Sequence, residues 1–191
     1  MTVSPDELTV TLDDLTPELL TSYTKGKIRA DDPRSPLLLS GAVAAIRAYC
    51  QWHVSPSREE TLIMDGHGGR IQRLPSFHVT EVAEVKDGGV LLEYRTGYRW
   101  SESGMLSRTN GEFSREFRDV EITLTHGHDN TPELVSVALA VVSRALASPM
   151  GATREQAGQM AVTWASTAPG VSGGMALLAN ELAILDGYKI P

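Results

Sequence analysis

The residues of this chain best suited to metal or acid–base chemistry are its five histidines, and two of them share one short run, Thr125-His126-Gly127-His128-Asp129. Histidines at i and i+2 after a strand can point the same way, and metallo-hydrolases use an HxHxDH loop of this type. Here Asp129 directly follows His128, and Asn130 comes next where that motif needs another residue and then a histidine. The same run also reads as a turn. Gly127 supplies a position of positive φ, and Thr131-Pro132 begins a helix. His53, His67 and His78 fall in a helix end, a hairpin turn and a strand, none with a second ligand nearby in sequence. A metal-dependent hydrolase using His126, His128 and Asp129 is thus a minor alternative, and no metal site is expected.

Other chemistry-bearing patterns resolve the same way. Gly66-His67-Gly68-Gly69-Arg70 lacks a GK[ST] ending and does not open a helix, so it makes a hairpin connection and not a phosphate loop. Ser101, Ser103 and Ser107 have no GxSxG elbow around them. Glu59-Glu60 and Asp13-Asp14 are consecutive, so each pair splays to different faces. Arg108, Arg115 and Arg118 with Phe113 and Phe117 form a basic–aromatic patch, expected to serve a sheet face or a subunit contact. Nothing assembles a nucleophile, a base and an orienting group, so neither catalytic nor cofactor-binding residues are expected and the chain reads as a binding or assembly protein.

Composition narrows the classes further. The 191 residues include 17 Lys plus Arg and 24 Asp plus Glu, a formal net charge of −7, with 41% hydrophobic residues. That length can bury a core as one domain, with or without an appended arm. The acidic balance disfavours tight binding to a phosphate backbone. The single Cys50 leaves no intramolecular disulfide framework or Cys-rich zinc site, and its neighbours mark it as a small buried hydrophobe. Met1 to Asp14 has no positive or apolar leader pattern, and the most apolar stretches, Leu37–Ile46 and Leu134–Val142, are well short of the roughly 20 residues of a membrane span. A soluble protein made in a reducing compartment, without membrane partners, is expected.

The elements that would position these residues fall into three regimes. Residues 12 to 54 read as helical. Thr16-Pro17-Glu18 gives an N-cap, a first-position proline and a first-turn acid, and Lys25-Gly26-Lys27 a stop. Ser35-Pro36 starts a second helix in which Leu39, Ala42, Val43, Ile46, Tyr49 and Cys50 recur at helical spacing. Residues 58 to 126 change period to two. Asp65-Gly66, Asp87-Gly88 and Asn110-Gly111 between alternating runs predict an antiparallel meander of three hairpins. Thr131-Pro132-Glu133 then repeats the helix start, and Leu134–Ala147 is apolar nearly all round, a helix buried by its neighbours or by other subunits. A possible strand at Met160–Trp164, a Pro169–Gly174 hinge and a helix over Met175–Leu185 complete the chain. The last segment is either an arm that docks elsewhere or one that packs on its own subunit.

The expected fold class is therefore α+β: a small helical bundle with an inserted antiparallel β-meander and an extended C-terminal arm. Its parts are residues 1–57 (N-terminal helices), 58–128 (β insertion), 129–159 (bundle helix and following turn) and 160–191 (hinge and arm).

Taken in order, several blocks resemble head-to-tail adaptor proteins, the connectors of long-tailed phages, particularly those of actinobacterial hosts. They are Ala44–Arg58; Thr61–Gly66 with Gly68-Gly69-Arg70; Leu74-Pro75-Ser76 with His78-Val79-Thr80; Ile122–Gly127; and Ser143-Arg144-Ala145 with Ser148-Pro149 and Ala152–Gln156. Leu177–Glu181, Leu185-Asp186 and Tyr188–Pro191 close the series, which spans about residues 40 to 191. The resemblance implies a helical bundle with strand insertions and a dodecameric ring beneath the portal. Such a ring binds the portal protein and the next neck or tail connector, and lines the channel through which double-stranded DNA leaves. It implies a virion neck location after synthesis in the host cytoplasm, no enzyme activity and no cofactor. It also implies that the C-terminal segment engages the portal or a neighbouring subunit, which points to Trp164, Met175, Leu177, Leu178, Leu182, Leu185, Tyr188, Ile190 and Pro191 as partner-binding residues. The −7 charge suits a channel that must not grip DNA. Another neck component, a stopper or tail terminator, is the nearer alternative.

Overall fold

The computed structural model describes residues 9–147, 154–157, 160–163 and 174–190. It is α+β, with four α-helices and antiparallel sheets among the described residues, and divides into two units. One comprises Met1–Tyr49 with Thr131–Gly187, the other Cys50–Asn130 with Tyr188–Pro191. Among the described residues no helix is long and apolar enough to cross a membrane.

In the first unit, helix α1 (Pro17–Tyr23) begins as its sequence requires: the Thr16 hydroxyl accepts a hydrogen bond from the Leu19 amide at 3.2 Å. It ends where Lys25 and Gly26 turn left-handed and the Gly26 amide closes back on the Thr21 carbonyl at 2.8 Å. Helix α2 (Ser35–Cys50) buries Ser35, Leu39, Ala42, Ile46 and Cys50, one stripe at spacings of three and four. Helix α3 (Pro132–Ala147) buries nine residues, Leu134, Val135, Val137, Ala138, Leu139, Val141, Val142, Ala145 and Leu146, within a single chain. Its all-round apolar surface is therefore already used inside the subunit and does not require a neighbour to cover it.

Strands β8 (Arg154–Ala157) and β9 (Met160–Thr163) pair antiparallel. Trp164, Pro191 and residues 169–173 of the expected hinge lie outside the described residues. Helix α4 covers Ala179–Leu185 and starts later than expected, because the Glu181 carboxylate accepts from the Leu178 amide at 2.8 Å and fixes the helix start there. Leu185 is fully buried in its own chain.

The second unit holds two sheets. One has the order β1 (Arg58–Met64), β7 (Val120–His126), β3 (Val79–Asp87), β4 (Val90–Leu91). The other has the order β2 (Ile71–Arg73), β6 (Met105–Arg108), β5 (Tyr98–Ser101). They share one core, in which Val79, Val85, Val120, Ile122 and Leu124 of the first sheet meet Tyr98 and Leu106 of the second, with Leu74 and Phe113.

The strand order corrects the expected meander. The Asp87-Gly88 turn is the hairpin foreseen, with Gly88 and Gly89 both left-handed between β3 and β4. The Asp65–Gly69 run does not fold β2 back onto β1; it passes the chain from one sheet to the other. Its glycines instead let residues 113–116 approach: the Gly66 and Gly68 amides donate to the carbonyls of Glu116 and Ser114, each at 2.9 Å. A Cβ on Gly66 would collide with the Ser114 carbonyl. Asn110-Gly111 likewise makes no hairpin, since β6 pairs with β2 and β5. The unforeseen hairpin joins β5 to β6 through Glu102-Ser103-Gly104. Gly104 has φ +77°, and a Cβ there would strike the Ser76 carbonyl oxygen.

Candidate functional site

Four of the five histidines gather in the second unit, where β7 ends and the chain leaves α2. Two backbone bonds assemble the place: the Gly127 amide donates to the His78 carbonyl at 2.9 Å, and the His128 amide to the Val54 carbonyl at 2.8 Å. Gly127 adopts φ +106°, and a Cβ on it would lie 2.5 Å from the Pro56 carbonyl oxygen. Val54 is buried at φ +65°, a strained state for a β-branched residue that this packing over-determines.

Around this turn the rings pack on one another. His78 and His128 stack at 4.2 Å between centroids with 5° between planes, and the Tyr188 ring meets His128 edge-on at 5.3 Å. Trp52 lies 5.9 Å from His128 and 6.4 Å from His126, and His53 lies 5.7 Å from His126. The Trp52 indole donates to the Tyr188 carbonyl at 2.6 Å.

His126 is buried, and its Nε2 sits 3.2 Å from the Glu60 carboxylate while its Nδ1 is buried without a hydrogen-bond partner. Burial pushes its pKa below the usual imidazole range, with Glu60 pulling against that shift. Burial works to raise the Glu60 pKa, but the hydrogen bonds from Arg58 and His126 outweigh it and hold the carboxyl low.

Proximity in this cluster is not convergence. His126 faces Glu60 and Trp52, whereas His128 is stacked between His78 and Tyr188, and Asp129 is exposed. Among the described residues no group of three or more His, Cys, Asp or Glu side chains could hold a metal ion. The arrangement is an aromatic plug, and the 126–129 run is the turn that Gly127 indicated.

The basic–aromatic patch does not stay together. Phe113 is buried, with the Arg108 guanidinium 5.8 Å above its ring and Asp87 3.7 Å from Arg108. Phe117 is 84% exposed. Arg115 pairs with Glu112 at 3.5 Å. In the first unit an open cavity of about 1100 Å³ is lined by Tyr23, Lys27, Arg29, Arg34, Ser143 and Leu146, among others. Its arginines are already paired, Arg29 with Asp31 and Arg34 with Asp32, each at 2.8 Å, so it offers a ligand no unsatisfied charge from them.

The residues expected to bind partners are placed as follows. Leu185 is buried, and Met175, Leu177, Leu178, Leu182, Tyr188 and Ile190 are half-buried. Sequence reasoning missed the pair that holds their segment down, Arg144 and Glu181. It also missed the two solvent faces of the β-sandwich. The alternating acids of β1 and β3 were a legible signal for one of those faces.

No protein-family model and no curated protein sequence matches the chain. Solved structures do resemble it along most of its length. A chain in the neck of an empty gene transfer agent particle, computed with C6 symmetry, aligns with a TM-score of 0.56 and 16% identity, covering 100% of this chain and 94% of that one. A chain in the neck of the native particle, computed with C12 symmetry, gives a TM-score of 0.53 at 17% identity over 91% and 89% of the two chains. A chain of the native gene transfer agent virion gives 0.54 at 17% over 97% and 95%. The likeness is one of fold: this chain is built like a subunit found in the necks of gene transfer agent particles.

Proposed function

We propose that the chain is a virion structural protein of the neck, a head-to-tail adaptor. In this reading twelve copies form a ring that joins the portal to the next neck or tail component and surrounds the exit path of the DNA. The observation that supports it is the end-to-end correspondence with chains in gene transfer agent necks, one of them in a neck computed with C12 symmetry. The ordered resemblance of residues 40 to 191 to phage adaptors points the same way.

Contact with the portal or a neighbouring copy falls to the half-buried Met175, Leu177, Leu178, Leu182, Tyr188 and Ile190, with Trp164 and Pro191 of the same C-terminal stretch. Leu185 is buried within the chain. The net charge of −7 keeps the duplex sliding past the ring, because like charge repels phosphate.

A cryo-EM reconstruction of the assembled neck tests this directly. Twelve copies seated against the portal is the expected result. Density for the chain one tier further down would make it a stopper, and particles without it would overturn a neck role.

A further inference from the structure

The two sheets of the second unit bury their inner faces against each other, so their outer faces look in opposite directions, and these carry opposite charge. On the first sheet the register places Glu59, Thr125 and Glu81 side by side across β1, β7 and β3. The two carboxylates are therefore separated by two strand spacings, about 10 Å. Glu84, Glu121 and Lys86 share this face, and Lys86 is taken up by the two acids, at 2.5 and 3.1 Å. Glu59 and Glu81 make no ion pair among the described residues, and both are exposed.

On the second sheet the outward positions are Ile71 and Arg73 of β2, Met105 and Ser107 of β6, and Arg99 and Ser101 of β5. No acid is among them. Arg73 and Arg99 are exposed, make no ion pair among the described residues, and stand on the two outer strands. Arg73 is level with Met105 and Ser101 and Arg99 with Ser107 and Ile71, so the two are offset by two residues along the strands and lie about 12 Å apart on the diagonal. Ile71 is 57% exposed and Met105 39%, and on the acidic face Ile63 is 48% exposed.

We propose that these faces are the two halves of one self-contact, in which the Glu59/Glu81 face of one copy meets the Arg73/Arg99 face of the next. Two free carboxylates about 10 Å apart, with Thr125 between them, oppose two free guanidiniums about 12 Å apart on the diagonal, a difference the long arginine side chains can span, and exposed Ile71 and Met105 beside the guanidiniums exclude water. The contact is heterologous, since each copy offers one face of each kind and always leaves one open. Such a contact propagates until the rotation closes a ring. Its ion pairs fix register and neighbour more than they supply affinity. A duplex is the poorer occupant of the arginine face, because two cations around exposed Ile71 and Met105 make a weak phosphate site. The proposal rests on the ring reading above and specifies which surfaces make the ring.

Charge reversal tests it. R73E/R99E makes both faces acidic, and E59R/E81R makes both basic. In about 20 mM salt, where screening is weak, the wild-type chain should assemble, and each variant alone should assemble at least about tenfold more weakly. Mixing the two variants should restore assembly as alternating copies, read by analytical ultracentrifugation and native mass spectrometry. All four positions are exposed, so both variants should melt near the wild type. R73Q/R99Q and E59Q/E81Q give a milder loss in the same direction if a reversal disturbs folding. Variants that assemble like wild type overturn this interface and leave the neck reading standing, as does a folded mixture that fails to assemble. A wild type that stays monomeric overturns self-contact through these faces. Loss of duplex binding by R73E/R99E with assembly unchanged overturns it in favour of DNA. The neck reading fails separately, if assembled particles lack the chain.

Discussion

Arg144 and Glu181, 37 residues apart, form a two-pronged ion pair. Nη1 meets Oε1 at 2.7 Å and Nη2 meets Oε2 at 3.0 Å, while Nη2 also donates to the Ala176 carbonyl at 2.9 Å. The Glu181 carboxylate, 4% exposed as a residue, accepts from the Leu178 amide as well. One guanidinium on α3 thus holds both the strand-like approach to α4 and its first turn. Arg47 finds Asp13 at 3.1 Å in the same unit. The two arginines differ in setting: Arg144 meets a buried carboxylate, whereas the Arg47–Asp13 pair lies at the solvent surface.

Removing one side of the Arg144–Glu181 pair leaves the other largely buried and uncompensated. Glu181→Ala should cost about 2–4 kcal/mol of stability, read as a shift of the urea midpoint at constant slope. Replacing both residues with apolar ones should cost less than that single change. Deleting 177–191 removes Leu185 from the core as well, so the truncated chain should melt much lower; an unchanged melting temperature would contradict the packing described.

Gly104 and Gly111 share φ +77° but differ in surroundings. A side chain at 104 meets the Ser76 carbonyl, whereas at 111 nothing lies within 4 Å. Gly111→Ala should cost only the left-handed backbone penalty, about 1 kcal/mol. Gly104→Ala should cost clearly more, at least about 2 kcal/mol, because backbone must also move. Equal losses in thermal denaturation would refute the close approach.

Phe113 and Phe117 stood together as one patch in the sequence and part in the structure. Phe113→Ala should destabilise by about 3–4 kcal/mol through the cavity it leaves. Phe117→Ser should fall within about 0.5 kcal/mol of wild type, as surface changes do. Chemical denaturation of the two variants separates a core residue from an exposed one.

His126 makes stability depend on pH. Its folded pKa lies below the unfolded value near 6.5, so between the two the unfolded chain binds the extra proton. Stability is full above about pH 6.5 and is lost as the pH falls through the folded pKa. Glu60, also held low, adds a second loss as pH falls below its ordinary value near 4.5. Melting temperatures of wild type and His126→Gln between pH 8 and 5 should converge on acidification. Parallel curves would show that His126 does not titrate there.

Much of the local structure was legible. Thr16 and Thr131 each precede Pro-Glu, and each begins a helix, because an N-cap hydroxyl and a first-position proline act within one turn. The stripe at Leu39, Ala42, Ile46 and Cys50 and the alternation of β3 and β7 report which side of an element is buried, and periodicity carries that information residue by residue. The left-handed Gly88-Gly89 hairpin is equally local.

What needed the tertiary structure was the choice of partner. Asp65-Gly66 and Asp87-Gly88 look alike in sequence, yet one joins two sheets and the other makes a hairpin. The difference lies in residues 113–116, which are too far along the chain to affect a local reading. The same holds for β1, whose partner β7 begins 56 residues after β1 ends; for His78 against His128; and for Glu181 against Arg144. The sequence by itself determined the elements, their buried sides and the absence of a catalytic motif, because these depend on bonds and spacings of a few residues. The tertiary structure decided which strands share a sheet, that Glu181 meets Arg144, and that acids and arginines fall on opposite faces. Those outcomes depend on contacts between residues distant in sequence, and each is selected by the free energy of the whole packed unit.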